Sequence, residues 1–152
     1  MANQSAGILL YRVKNKVVEL FLVHPGGPFW QKKDIGAWTI PKGEFTVTED
    51  ALTAAKREFE EETGVALSGN FIELSPVKQK AGKLIHAWAA EGDIDASSIS
   101  SNSFSLEWPP KSGKRQEFPE VDRAEWFEAD KAKEKINPAQ TSFIDELLQK
   151  LS

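Results

Sequence analysis

The stretch Gly43–Val65, GEFTVTEDALTAAKREFEEETGV, decides how the rest of the chain is read. From Ala51 the run ALTAAKREFEEET contains neither Gly nor Pro. Asp50 or Thr48 before it can serve as an N-cap, accepting a bond from an orphan backbone N–H. Gly64 stands where helices commonly leave through a permissive residue. The sequence therefore predicts a helix ending before Gly64, seated on a core by Leu52, Ala55 and Phe59. Its charge is badly placed for stability alone. Glu58, Glu60, Glu61 and Glu62 crowd the C-terminal half, where the macrodipole is already negative. Glu58 and Glu62 are also an i, i+4 like-charge pair, costing roughly 0.2–0.5 kcal/mol. Something positive belongs beside them.

Residues three and four apart share a helix face, so Glu58, Glu61 and Glu62 project together while Glu60 points elsewhere. Clustered carboxylates with no Cys or His nearby are hard oxygen ligands, suited to magnesium or manganese rather than zinc. Magnesium usually keeps several waters and bridges to phosphates, so the expected substrate is a phosphorylated small molecule.

The order Gly, five residues, Glu, seven residues, Arg-Glu-apolar-any-Glu-Glu-any-Gly-apolar resembles the signature of the Nudix hydrolases. Gly43, Glu49, Arg57, Glu58, Phe59, Glu61, Glu62, Gly64 and Val65 fill it without exception. Each fixed residue type makes up roughly 5–7% of average usage, so seven at set spacing arise by chance in about one window in 10^8. The resemblance implies an α/β fold: an α/β/α sandwich with a mixed β-sheet and the box as a loop and helix on one edge. It implies one hydrolase domain over residues 1–152 and a metal held by Glu58, Glu61 and Glu62. It also implies that Arg57 pairs with Glu49 and holds the glutamates in place.

The preceding Trp38-Thr39-Ile40-Pro41-Lys42-Gly43 is similar to the entry to the box in relatives that cleave dinucleoside polyphosphates or diphosphoinositol polyphosphates. The Lys42 carbonyl is a metal ligand by that resemblance. The Lys42 side chain is placed to meet a phosphate as a point charge, and Gly43 lets the backbone approach metal and phosphates closely. In the diadenosine polyphosphate branch a glutamate lies six residues before a comparable tryptophan. Glu120, six before Trp126, fills that position, with the family role of metal ligand or general base. Glu117 is its competitor.

Composition bounds the class. A chain of 152 residues with 40% hydrophobic and 28% charged residues is that of an ordinary globular domain. A net charge of −4 argues against stable nucleic-acid binding, although a local basic patch is compatible with it. With no cysteine, disulfides, Cys-based zinc sites and thiol nucleophiles are excluded. The N-terminal MANQSAGILLYRVKNK has too short an apolar run for a signal peptide or membrane span, so the cytoplasm is expected, as monomer or homodimer.

Along the chain, Ser5–Val13 and Val17–His24 read as a hairpin around Lys14-Asn15-Lys16. The segment HPGGPFWQKKDIGAW reads as a loop, lacking the Gly-Lys-Ser/Thr ending of a Walker-type phosphate loop. Phe29, Trp30, Lys32 and Lys33 on it are candidate walls of a substrate cleft. Asn70–Gln79 and Lys83–Glu91 read as strands around Lys80-Ala81-Gly82, with His86 and Trp88 on one strand face. Gly92–Ser105 is polar and serine-rich and reads as a long mobile loop. Beyond it Lys111, Lys114 and Arg115 form a basic cluster able to hold a polyphosphate beside a metal site. The run EVDRAEW from Glu120 precedes a final strand anchored by Trp126-Phe127. Asn137-Pro138 then opens a last helix whose buried stripe is Phe143, Ile144, Leu147, Leu148 and Leu151.

The reading reached is magnesium- or manganese-dependent hydrolysis of a diphosphate bond in a nucleoside diphosphate linked to another group. Dinucleoside polyphosphates and nucleoside triphosphates are the candidate substrates. Relatives acting on diadenosine polyphosphates carry a stacking Tyr on the strand after the box. Here that strand reads Leu84-Ile85-His86-Ala87-Trp88, so stacking falls to another aromatic or to His86. The alternatives are a non-catalytic Nudix-fold domain that binds or senses a nucleotide, usually marked by eroded box glutamates, and a helical interaction module.

Overall fold

The computed structural model describes residues 4–79 and 82–152. The chain begins with a hairpin, β1 (Gln4–Lys14) and β2 (Val17–Pro25), in register from Tyr11–Leu20 to Lys14–Val17. Asn15 and Lys16 both take positive φ, the backbone that a two-residue turn needs to match the strand twist. Beyond that register the two strands part, and the run from Trp38 to Glu44 fills the gap. Val23 and Thr39 exchange backbone hydrogen bonds of 2.9 and 3.0 Å, and Ile8 N–H donates to the Pro41 carbonyl at 3.1 Å. β3 (Lys42–Glu44) then pairs with Ser5–Gly7 of β1. Gly7 makes room for this wedge, since a Cβ there would stand 2.5 Å from the Pro41 oxygen.

After α1 (Ala51–Thr63) come β4 (Ile72–Lys78) and β5 (Leu84–Glu91), the latter parallel to β1. A separate two-stranded ribbon follows, β6 (Ser103–Glu107) with β7 (Arg115–Pro119), and then β8 (Val121–Glu128), α2 (Ala129–Lys135) and α3 (Thr141–Leu151). The main sheet runs β4-β5-β1-β2-β8, with β3 beside β1. Parallel and antiparallel pairs mix in it, as expected.

β1 is buried on both faces and sorts its side chains by alternation. Ala6, Ile8 and Leu10 meet Ala54, Ala55 and Phe59 of α1, together with Phe21 and Val23. Leu9 and Tyr11 face the other way, onto Trp38, Ala132 of α2, and Phe143, Ile144 and Leu147 of α3. The result is the α/β/α sandwich. Pro76 sits in edge strand β4 where the pairing slips between Leu74 and Val77, the kind of place a strand tolerates a residue without an N–H. No helix among the described residues is long and apolar enough to cross a membrane.

Several expectations change. The α1 stripe uses Ala54 with Ala55 and Phe59, while Leu52 is only half-buried. Leu151, near the end of α3, is 37% exposed rather than buried. Asn137 does cap, taking Ala139 N–H at 2.9 Å, but it opens a 3-10 turn over Pro138–Gln140 that leads into α3. The long loop expected to Ser105 ends earlier, because Ser103–Glu107 pairs with Arg115–Pro119. The turn expected at Lys80-Ala81-Gly82 lies, in its first two residues, outside the described residues.

Candidate active site

Asp50 is the N-cap, its carboxylate accepting Thr53 N–H at 3.1 Å, and Gly64 closes α1 in the left-handed region at φ 81°. The helix carries no basic residue in its last turn. Backbone donors do that work instead: Ser100 N–H bonds the Thr63 carbonyl at 2.9 Å and Asn102 N–H bonds the Glu61 carbonyl at 3.0 Å. The acidic C-terminal half is thereby held from outside the helix.

Arg57 supplies the positive partner. Its guanidinium makes a two-pronged bond to Glu49, each contact 2.8 Å, and a further nitrogen reaches Glu58 at 2.8 Å and Glu61 at 3.0 Å. These bonds hold the Glu49 carboxyl below its usual range and raise the Arg57 pKa. Glu58 and Glu61 each give Arg57 one oxygen and keep the other.

Glu58 and Glu62 are buried, at 8% and 9% exposure, and this orientation is what makes the site unusual. Burial pushes Glu58 up despite Arg57. Burial pushes Glu62 up to about 8, reinforced by the charges of Glu58 and Glu120 and opposed by Lys42. Lys42, half-buried at the end of the wedge, is pushed down by its own burial. Two buried acids facing one another are costly without a cation between them.

Gly43 touches this pair directly. A Cβ on it would lie 2.0 Å from Glu58 Oε1. The clash is with the far end of a flexible side chain, so Gly43→Ala should fold at nearly wild-type stability while displacing the Glu58 carboxylate. A thermal melt alongside a rate is the check, and an unfolded variant would show that the position serves the fold instead.

Glu120 joins the same field. It follows β7 directly, and its backbone is fixed on both sides: its N–H donates to the Asn102 carbonyl at 2.8 Å and its carbonyl accepts Gly26 N–H at 2.9 Å. Burial and then the Glu61 charge raise its pKa, and its own charge acts on both Glu58 and Glu62. Glu117 is exposed on β7, opposite Ser105. The paired ribbon before Glu120 fixes its backbone position.

The donor set fits a hard cation: Glu58, Glu61, Glu62 and Glu120 are all oxygen donors, and burial, then the charges of acidic neighbours, raise the pKa of Glu58, Glu62 and Glu120. Among the described residues no three acidic or imidazole groups converge on one point at ligand spacing, and two of the carboxylates, Glu58 and Glu61, are bonded to Arg57.

The other candidates fall into two groups. Lys42 lines a cleft of about 180 Å³ on the sheet face away from α1, with Trp30, Thr39, Asn137 and Gln140. Gln140 was not anticipated. It is buried and braces the wedge, accepting Ile40 N–H at 3.0 Å and donating to Thr39 Oγ1 at 2.9 Å. Lys32 and Lys33 are exposed on the Gly26–Trp38 loop, Lys33 with its ammonium 5.0 Å over the Trp30 ring. His24, wholly buried, pins that loop by contacting Asp122 at 2.9 Å and the Lys33 carbonyl at 2.6 Å. Lys111, Lys114 and Arg115 are exposed at the outer end of the β6–β7 ribbon. Arg115 is five residues before Glu120, about 16 Å away at strand rise. His86 contacts Gln4 Oε1 at 2.5 Å and stacks edge-on with Phe45.

The NUDIX domain family model matches residues 1–147. The chain is 34% identical over 104 residues to the rat bis(5'-nucleosyl)-tetraphosphatase [asymmetrical], a match covering 60% of this chain and 66% of that enzyme, just under two thirds. An Ap4A hydrolase of C. elegans, solved as a binary complex, superposes with a TM-score of 0.70 at 21% identity, covering 97% of each chain. The NUDIX domain of Shewanella oneidensis NrtR, solved with ADP ribose, gives 0.66 at 16% identity, covering 98% of this chain and 88% of that one. A complete box on a matching sandwich, with the family model spanning nearly every residue, makes this chain a member of the Nudix family.

Proposed function

We propose that the protein, acting as one Nudix unit over residues 1–152, is a pyrophosphohydrolase that uses magnesium or manganese to cleave a diphosphate bond in a nucleoside polyphosphate. The observation that carries the proposal is the crowding of Glu58, Glu61, Glu62 and Glu120 at one end of the sheet, with two of them buried. Glu58, Glu61, Glu62 and the Lys42 carbonyl would hold the metal, with Glu120 beside them. When bound, it neutralises phosphate charge and acidifies a water. Arg57 holds Glu58 and Glu61 in place through bonds of 2.8 and 3.0 Å, so its role is positioning. Glu120, its pKa raised by burial and by the Glu61 charge, is the favoured general base.

The Lys42 ammonium meets a phosphate at the mouth of the cleft beside Trp30 and Asn137. That cleft is smaller than the roughly 300–1,000 Å³ of a pocket enclosing a whole ligand, so it takes one end of the substrate. The rat relative favours a dinucleoside polyphosphate, with a nucleoside triphosphate second. A non-catalytic sensor of the kind suggested by the ADP-ribose-bound neighbour is disfavoured by the intact set of box glutamates. A cytoplasmic setting, as monomer or homodimer, completes the proposal.

The test is product analysis over a panel of nucleoside polyphosphates with magnesium, manganese or chelator. Hydrolysis should appear with either metal and fall to background after exhaustive chelation. Full turnover in chelator would overturn the metal requirement, and no turnover of any nucleotide would overturn the enzyme reading.

A further inference from the structure

The β6–β7 ribbon and the Gly26–Trp38 loop form a strip that the catalytic reading does not use. The loop runs along the ribbon from foot to tip. Gly26 lies against its foot, where a Cβ would stand 2.0 Å from the Pro119 oxygen. Gly27 lies next, 2.9 Å by the same measure from the Phe104 ring. Phe29 reaches the tip, where its ring meets Trp108 edge to face at 5.3 Å between centroids. The foot of the strip is Glu120 itself, bonded through its carbonyl to Gly26.

The tip has an unusual composition. Phe29 is 60% exposed, although the Phe104–Phe118 pair behind it offers an apolar face to cover. Lys111 and Lys114 lie on the turn after Trp108, whose backbone N–H donates to the Lys114 carbonyl at 2.9 Å, whereas Arg115 lies on the other ribbon face and donates to Ser105 at 3.0 and 3.3 Å. Among the described residues neither Lys111 nor Lys114 has a carboxylate partner, in a chain whose net charge is −4. An exposed aromatic ring beside a turn that carries two cations is complementary to an aromatic group carried on an anionic chain.

We propose that Phe29 and Trp108, with Lys111 and Lys114, form a distal subsite for the far base and phosphates of a two-ended nucleoside polyphosphate. This rests on the reading of the protein as a nucleoside polyphosphate hydrolase. The spacing suits the role. The tip of the ribbon begins five residues before Glu120, about 16 Å from it at strand rise, so a ligand must extend well past the reacting phosphate to reach it. A nucleoside triphosphate lying in the Lys42 cleft presents no second base to the tip. The Tyr lacking on β5 is then replaced, for one end of the substrate, by aromatics on a different element.

The test is calorimetric titration of metal-free protein in chelator, where the ligand stays intact, with a dinucleoside tetraphosphate and with the matching nucleoside tetraphosphate. Stacking on one base is worth about 5- to 150-fold in affinity. Phe29→Ala should therefore weaken the two-ended ligand by that factor and the one-ended ligand by less than about twofold. Lys111→Gln with Lys114→Gln should weaken the two-ended ligand and flatten its salt dependence. Phe29 is exposed, so its truncation should leave the melting temperature near wild type, which separates lost contact from lost fold.

Equal effects on both ligands, no effect on either, or no binding of the two-ended ligand by the wild-type protein would each overturn the subsite. So would dependence on Phe29 confined to a 5′-triphosphate oligonucleotide, which would make the tip a nucleic-acid surface. The two proposals fail separately. Metal-dependent turnover unaffected by Phe29→Ala removes the subsite and keeps the enzyme. Phe29-dependent binding with no turnover under magnesium does the reverse.

Discussion

Glu62→Gln should lose most of its activity and yet, in metal-free buffer at about pH 9, melt at a higher temperature than the wild-type protein. The expected loss of rate is roughly 10–100-fold or more, the range for removing a group that supports a bound metal. The gain in stability follows from burial. Glu62 is 9% exposed, and its carboxyl is pushed up to about 8 in the fold, mainly by that burial. In the unfolded chain it titrates near 4.5. Between those values the folded state binds a proton that the unfolded state does not, so this group's contribution to stability falls as pH rises from about 4.5 to about 8. At 1.36 kcal/mol per unit the full effect would approach about 5 kcal/mol, and relaxation with water entry reduces it to about 1–3 kcal/mol.

A neutral amide of the same shape avoids that cost. The two proteins should therefore converge near pH 5, where the wild-type acid is itself largely protonated in the fold. Magnesium should restore the order at high pH, stabilising wild type by mass action and the variant far less. Melts at the two pH values, with chelator and with magnesium, make the comparison. A variant that collapses in chelator at high pH would assign Glu62 to the fold and remove it from the metal site.

The same residue shows what could and could not be read from sequence. The helix, its Asp50 cap and its Gly64 exit were legible because each depends on neighbours within a few positions. So was the shared face of Glu58, Glu61 and Glu62, which follows from helical spacing alone. That Glu58 and Glu62 point into the protein was not legible, since it depends on the Trp38–Glu44 wedge between β1 and β2. The wedge in turn needs Gly7, which as a sequence letter looks like any other glycine.

Two elements escaped for different reasons. The ADKAKEK run of α2 has alanine as its only apolar residue type, too weak a pattern to mark a helix. β6 and β7 hide their alternation, Phe104 and Leu106 against Phe118, among serines and charges, and only their pairing exposes it. Asn137 was legible as a cap, but its place in the Lys42 cleft required the third dimension.

The missed ribbon bears directly on the acid-base assignment. Glu120 belongs to a strand junction fixed through both its N–H and its carbonyl, and its carboxyl stands among the box glutamates in advance of any ligand. A group so placed acts chiefly on the transition state, so its removal should lower kcat with little change in KM. General-base catalysis typically supplies 10²–10⁴-fold, and Glu120→Gln should lose about that much. Glu117→Gln is the matched control, three residues earlier, exposed on β7 and opposite Ser105. It should lose less than about threefold, because a solvated carboxylate on the ribbon surface interacts with the site only through a screened field. The two variants are to be compared at saturating substrate and metal, with the pH profile of kcat measured for each. Loss of the acidic limb in Glu120→Gln alone, with its hydrolysis recovering at higher pH where hydroxide replaces the base, is the expected signature. If Glu117→Gln is the inactive protein, or if neither variant is impaired, the base is one of Glu58, Glu61 and Glu62, and the ribbon's role is confined to holding the end of α1.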